Sequence, residues 1–350
     1  MTENIKIFFG INTNPLEWSR LVQSSSTGTW FQTPAAYEFF ASQPELFEPF
    51  VIGAGNNGAL RGVCVGYVTV EKNPIKQFFT RRAIIIGGPA LADDCTEEEV
   101  EALMKAAREM LQSQAIYVET RNFNDYSRWK GAFENAGFEY QAHLNFHVDC
   151  SDAEAMWNRM SDNRRRQIKK QIKKEGANEC LVNEGVSERD IREWYEILAK
   201  LYREKVRTPL WPVEFFLEAY RQGIGHYMLV RHEGKIIGGS MVVVLKSDGM
   251  SELAKGGCVY EWFECGLNAE YKEQYPSVMA TYAGMHYAYE HGCHRYDMMG
   301  AGVPGVPYGV RDFKAEFGGE MVEHGRFLYV SKSLLYQHGV LAVKILKQNI

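Results

Sequence analysis

The sequence lacks most of the marks by which a chain announces a membrane, a metal or an oxidising compartment. None of its apolar runs approaches the 18 or so residues that a spanning helix needs; the longest, such as Met241 to Leu245, are strand-sized. Met1 to Asn12 hold no long apolar core behind a basic start, so no secretory leader is expected and the expected compartment is the cytoplasm. Cysteine is scarce and scattered, with seven residues at 64, 95, 150, 180, 258, 265 and 293 and no Cys-x-x-Cys pair. That supports neither a disulfide framework nor a zinc site. His291 and His294 are three apart, but a helix stop at Gly292 separates them, so no metal pair is expected. An excess of positive charge is missing too. A net charge of -5 argues against coating nucleic acid through bulk charge, while leaving room for a local basic patch.

What is present is the composition of an ordinary globular protein, 45% hydrophobic and 24% charged, in a chain of 350 residues that suggests two domains. Residues 1–50 read as a strand (Ile5 to Phe9) and helices, with Thr33 as N-cap and Pro34 at N1 of a helix through Phe40. Strands are expected at Phe50 to Ile52, Gly62 to Val70 and Ala83 to Ile86. Thr96-Glu97-Glu98-Glu99 is a capping box, and Val100, Leu103, Met104, Ala107, Met110 and Leu111 behind it repeat at helical spacing. A strand from Ala115, a helix over Asp125 to Asn135 and a long strand over Phe138 to Val148 follow.

The second half opens with one helix over Asp152 to Lys174. It carries Arg164, Arg165, Arg166, Lys169, Lys170, Lys173 and Lys174 around a stripe of Trp157, Met160, Ile168 and Ile172. Seven cations in eleven positions repel one another, and an anionic partner would relieve that; the plain alternative is a solvated face. Helices from Ser187 and Pro212, strands at Tyr227 to Arg231, Ile236 to Leu245 and Ser251 to Cys258, and a helix Val278 to Glu290 capped by Ser277 come next. Arg295 to Met298 and Gly325 to Val330 are the last strands, and the tail to Ile350 reads as helical. The halves repeat in order of elements, and Trp129-Lys130-Gly131-Ala132-Phe133 echoes Phe313-Lys314-Ala315-Glu316-Phe317. The class is α/β (α+β), with domains at 1–148 and 149–350 and a cleft as the expected site.

The stretch that draws most attention is Tyr308-Gly309-Val310-Arg311-Asp312-Phe313-Lys314, behind the Gly/Pro loop Gly300 to Pro307. Glycine permits unusual backbone angles and close approach of a ligand. Lys314, between Phe313 and Phe317, would be a partly desolvated charge with three donors, or the solvated lysine of a short helix stopped at Gly318-Gly319. Asp297, at a strand end beside the loop, is a candidate general base or an aspartate holding loop N–H groups. Tyr308 and Arg311 flank the lysine and would orient substrate or lie on the surface. Tyr260 and Glu261 are expected just past a strand end, in a loop on the same side.

These blocks resemble the Fem family of peptidoglycan interpeptide-bridge aminoacyltransferases, which carry two acyltransferase domains of the Gcn5-related N-acetyltransferase (GNAT) type in tandem. The carrying residues are Trp30-Phe31-Gln32-Thr33-Pro34, Arg165-Arg166-Gln167-Ile168-Lys169-Lys170, Ala288 to Gly292 with Tyr296 to Gly300, and Tyr308 to Lys314 with Phe317-Gly318-Gly319. The resemblance implies transfer of an amino acid from aminoacyl-tRNA to an amine of a peptidoglycan-precursor stem peptide, with no metal, no cofactor and no covalent enzyme intermediate. A lipid-linked precursor would bring such an enzyme to a membrane surface. By matching position, Lys314 is implied near the reacting centre, stabilising negative charge. Arg165, Arg166 and Lys169 are implied beside substrate phosphates; Tyr260, Tyr308, Arg311 and Phe313 complete the expected substrate-binding set.

The chain departs from the family in having no segment long enough for its antiparallel helical arm, no lysine within Ala35 to Phe40, and Gln171 where a small residue is usual. An acyl-CoA-dependent N-acyltransferase is the alternative, but neither Gly87 to Thr96 nor Glu264 to Pro276 shows a pyrophosphate loop. A non-catalytic module that binds precursor or RNA is the third reading.

Overall fold

The computed structural model describes residues 5–10, 14–56, 58–172, 179–246 and 256–348. Lys173 and Lys174 of the basic run, and the 251–255 part of an expected strand, lie outside the described residues.

The chain forms two compact units, and each builds one mixed sheet. The first unit takes residues 1–143 and 323–350, the second mostly 144–322. The first begins with β1 (Lys6–Phe9), β2 (Phe47–Asn56), β3 (Ala59–Thr69), β4 (Ala83–Gly87), β5 (Ala90–Leu91), β6 (Tyr117–Asn122) and β7 (Glu139–Gln141). The second holds β8 (Leu144–Asp149), β9 (Glu179–Leu181), β10 (His226–His232), β11 (Lys235–Leu245), β12 (Cys258–Gly266), β13 (Arg295–Asp297) and β14 (Glu320–Glu323); β15 (Arg326–Val330) returns to the first. The first sheet runs β1-β2-β3-β4-β6-β15-β7 with β5 on β3; the second runs β14-β8-β13-β12-β11-β10-β9. The α/β class expected from the pattern is the class observed.

A single cut at 148/149 does not describe this division. The expected strand Phe138 to Val148 is two strands: β7 pairs with β15, while β8 leaves for the second sheet and pairs antiparallel with β13. The last strand is drawn into the first sheet by packing. Phe327 is 1% exposed and stacks on Phe133 at 4.0 Å, and its N–H donates to the Thr120 hydroxyl at 3.0 Å. A stacked aromatic pair is worth more than its buried area.

Local signals decided several helices. Thr33 accepts from the Ala36 N–H at 3.1 Å at the head of Pro34–Ala41. The Thr96–Glu99 capping box opens Glu97–Leu111, whose Val100, Leu103, Met104, Ala107 and Leu111 are buried against the first sheet. The helix expected over 152–174 is broken in two, Ala153–Arg159 and Asp162–Ile172. Met160 is extended at the break, the Ser161 N–H donates to the Glu316 carbonyl at 2.9 Å, and the Ser161 hydroxyl recaps the next turn at the Arg164 N–H. Ser277 is not a cap: the helix is Pro276–Glu290, with Pro276 in its first turn and Tyr275 left-handed at φ 52° before it. No helix among the described residues is long and apolar enough to cross a membrane.

Candidate active site

The site is built at the C-terminal end of β13, inside the second unit. The β12–β13 ladder is parallel and short, pairing Cys258–Tyr260 with Arg295–Asp297. β13 stops there, so among the described residues Glu261 to Gly266 have ladder partners only in β11. Strand ends where a neighbour departs are where open α/β sheets take ligands.

After Asp297 the chain turns through left-handed residues, Met299 (φ 48°), Gly300 (58°), Gly302 (78°) and Gly305 (74°). At Met299 this geometry is held against its side chain's preference. A helix, Gly309–Ala315, follows and holds the loop. Arg311 and Lys314 are three residues apart and share one face of it. The Lys314 ammonium donates to three consecutive carbonyls, Met298, Met299 and Gly300, the last at 2.9 Å. Arg311 donates to Ala301 (2.9 Å), Val306 (2.9 Å) and Val303 (2.6 Å). Six carbonyls of one loop thus turn toward two cations.

Lys314 is 8% exposed, and all three of its donors are engaged. Burial pulls its pKa below the ordinary lysine value, against the opposing pull of Glu261, Asp297 and Glu264. The expected contact between an ammonium and a substrate oxyanion is therefore not what the lysine's own protons make here. The trans peptide offers an indirect route. Because the Met299 carbonyl points at Lys314, the Gly300 N–H of the same planar unit points away from it. Among the described residues that N–H has no partner, whereas those of Met298, Met299 and Ala301 are bonded to Phe146, Asp297 and Leu144. A carbonyl bound to a cation polarises its own amide, which makes Gly300 a strengthened donor.

Asp297 is fully buried. One oxygen accepts from Asn145 at 2.8 Å and from the Met299 N–H at 2.9 Å; the other lies 3.2 Å from His147 Nε2. Burial alone would raise its pKa, but His147, Arg295 and Asn145 outweigh that and hold the carboxyl below its usual range. Of the two roles open in the sequence, the geometry matches the loop-holding one.

The carboxylates with base character are on β12. Tyr260 and Glu261 lie inside this strand, not in a loop past its end, and Tyr260 is fully buried. A bulge at Trp262 skips one residue, so Glu261 faces with Val242 and Glu264 with Ser240 on one side of the sheet. Glu261 accepts from Thr281 and Tyr296, each at 2.8 Å, and burial raises its pKa. Glu264 is half-buried beside Ser277, and its pKa is pushed up to about 7 by burial and by the charge of Glu261. Period-two reading puts residues three apart on opposite faces, so Glu264 carried no signal in the sequence.

The basic helix divides by role. Arg164 is 6% exposed between the Phe313 and Phe317 rings, at 4.5 and 4.9 Å, and pairs with Glu316 at 3.4 Å. Burial lowers its pKa. It joins this helix to the Lys314 helix, so Phe313 serves as its wall. Arg165 is paired with Asp162 and Lys170 with Glu273. Arg166 and Lys169 are exposed, the latter 5.4 Å above the Trp157 ring. Tyr308 is 44% exposed at the mouth of the loop.

The architecture is that of tandem GNAT-type proteins. A FemX crystal structure is similar with TM-score 0.69 at 15% identity, covering 95% of this chain and 99% of that one. A tandem GNAT protein of the clavulanic acid biosynthesis pathway is similar at TM-score 0.56 and 10% identity, covering 94% and 99%. The C-terminal domain of a putative lysylphosphatidylglycerol synthetase from Agrobacterium fabrum gives 0.53 and 12%, covering 95% of each chain. At these identities the likeness shows the fold. No curated protein matches the sequence. The FemAB family model matches residues 253–344, the stretch that holds Tyr260, Glu261, Glu264, Asp297, Arg311 and Lys314. The resemblance read from the sequence thus stands over that stretch: residues 253–344 are similar to the FemAB family, whose match supports an acyltransferase, and the chain has the tandem GNAT fold.

Proposed function

We propose that the protein is a cytoplasmic aminoacyltransferase that moves an aminoacyl group from charged tRNA to an amine of a peptidoglycan precursor. The observation that carries this reading is the coincidence of the FemAB match with the Lys314–loop–β12 site. In the proposed reaction the acceptor amine attacks the ester carbonyl. The new C–N bond forms, and the oxyanion is met by the Gly300 N–H, polarised through the Met299 carbonyl by Lys314. Glu264 takes the amine proton and returns it to the leaving ribose hydroxyl as the C–O bond breaks. Arg166 and Lys169 serve as the phosphate contacts. Tyr308 lines the approach, Phe313 backs Arg164, and Arg165, paired with Asp162, supports the helix that presents the cations.

An acyl-CoA donor fits the second unit poorly. The helix that would cradle a pyrophosphate starts with Pro276, which has no N–H, and the next amide, Ser277, is bonded to Asn268 at 3.2 Å. Calorimetric titration with charged tRNA and, separately, with acetyl-CoA tests the donor. Binding of charged tRNA alone is expected; tight acetyl-CoA binding would overturn the assignment. Arg166→Ala with Lys169→Ala is expected to weaken tRNA binding and flatten its salt dependence by roughly two phosphate contacts. An unchanged slope would return this helix face to solvent.

A further inference from the structure

The helix Pro74–Thr80 in the first unit is inside out. Its polar Gln77 faces inward, accepting from the Glu71 N–H and donating to the Thr69 carbonyl at 3.3 Å. Its apolar residues face solvent: Ile75 is 72% exposed, Phe78 57% and Phe79 55%. Soluble monomers rarely cluster large exposed apolar side chains without a use for them. The helix contacts the last helix, Ser333–Gln348, where Leu334 is 71% exposed and Lys332 lies 5.9 Å over the Phe78 ring. Both sit at one end of the first sheet, where Ile116 accepts from the Ser331 and Lys332 N–H groups and donates its own to Arg81.

The two segments that carry this patch are opposite in charge to the chain as a whole. Residues 71–82 and 331–350 hold seven lysines and arginines and one acid, Glu71, in a protein of net charge -5. Glu45 and Glu48, which pair with Lys72 and Arg81, reduce that excess without cancelling it. Exposed apolar side chains on basic segments, with Lys332 set over the Phe78 ring, are what an interfacial contact with anionic lipid requires. A second copy would bring one basic segment against another, so self-association is the poorer match.

We propose that this tip, Ile75, Phe78 and Phe79 with Lys332, docks the protein on an anionic phospholipid surface. The inference stands on the first unit alone and does not depend on the reaction assigned to the second. It is tested by sedimenting the full chain with phosphatidylcholine vesicles, with and without phosphatidylglycerol. The protein is expected to pellet with the anionic vesicles and to stay in solution with neutral ones. The variant Ile75→Ser, Phe78→Ser, Phe79→Ser changes only exposed positions, and it is expected to lose about tenfold or more of that partitioning. Lys332→Glu should lose a smaller, salt-sensitive part. Partitioning that the serine variant retains would overturn the proposal. So would light scattering that shows a dimer which the serine substitutions dissolve, with no vesicle binding by the native chain.

Discussion

Lys314→Met is expected to abolish transfer and to destabilise the protein together. Methionine keeps the length of the side chain and removes the charge. Three carbonyls, one buried and two partly buried, then lose their donor, and Glu261 and Asp297 lose the cation that offsets them. Breaking a buried ionic arrangement from one side costs about 3–5 kcal/mol. Losing an aligned oxyanion donor costs roughly 10²–10³ in rate. Denaturant unfolding and single-turnover transfer measure the two effects separately. A variant as stable as the native chain would show that Lys314 is not the tether of the loop. A variant that unfolds more easily yet transfers at the native rate would remove Gly300 from the reaction.

Glu264→Gln is the second large effect, and its signature is a pH profile. Burial and the charge of Glu261 push the Glu264 pKa up to about 7, so the native rate should rise with pH through that value as the carboxylate forms. The glutamine variant should be slower by about 10²–10⁴ and lose that limb. Stability should move the other way. The folded pKa lies above the ordinary glutamate value of 4.5, so the fold favours the protonated form, and stability falls as pH rises between 4.5 and about 7. The variant escapes that penalty. It should match the native protein at pH 4 and exceed it above pH 7, by about 3 kcal/mol at most. Equal stability across the range would mean that Glu264 is an ordinary carboxylate. A native-like rate would mean that another group takes the proton.

How much of this was legible depended on the range of the interactions. The helix behind Thr96 and the start at Thr33-Pro34 were written in neighbouring residues, and so was the prominence of the Gly/Pro loop with Lys314. The partners of Lys314 and Arg311 were not, because carbonyls carry no letter in a sequence. Arg164 looked like one more member of a basic run, yet it is the buried cation between two phenylalanines, a contact made across about 150 positions. The single long strand expected over Phe138 to Val148 failed for a similar reason. Its residues suit a strand throughout, and only the competing pairings with β15 and β13 divide it. Glu264 needed the bulge at Trp262, a register event that the alternation of side chains does not announce.

The position of β15 also bears on how the molecule comes into being. A chain leaving the ribosome presents β1 to β7 early, but among the described residues β7 finds its ladder only on β15, and β6 waits for β15 on one side. Both edges stay open while the intervening residues are synthesised and the contiguous second unit emerges. An unpaired edge is a site for wrong pairing. The nascent first unit therefore carries its greatest risk of aggregation during the interval between residues 142 and 326, and holdase chaperones would be expected to act on it there.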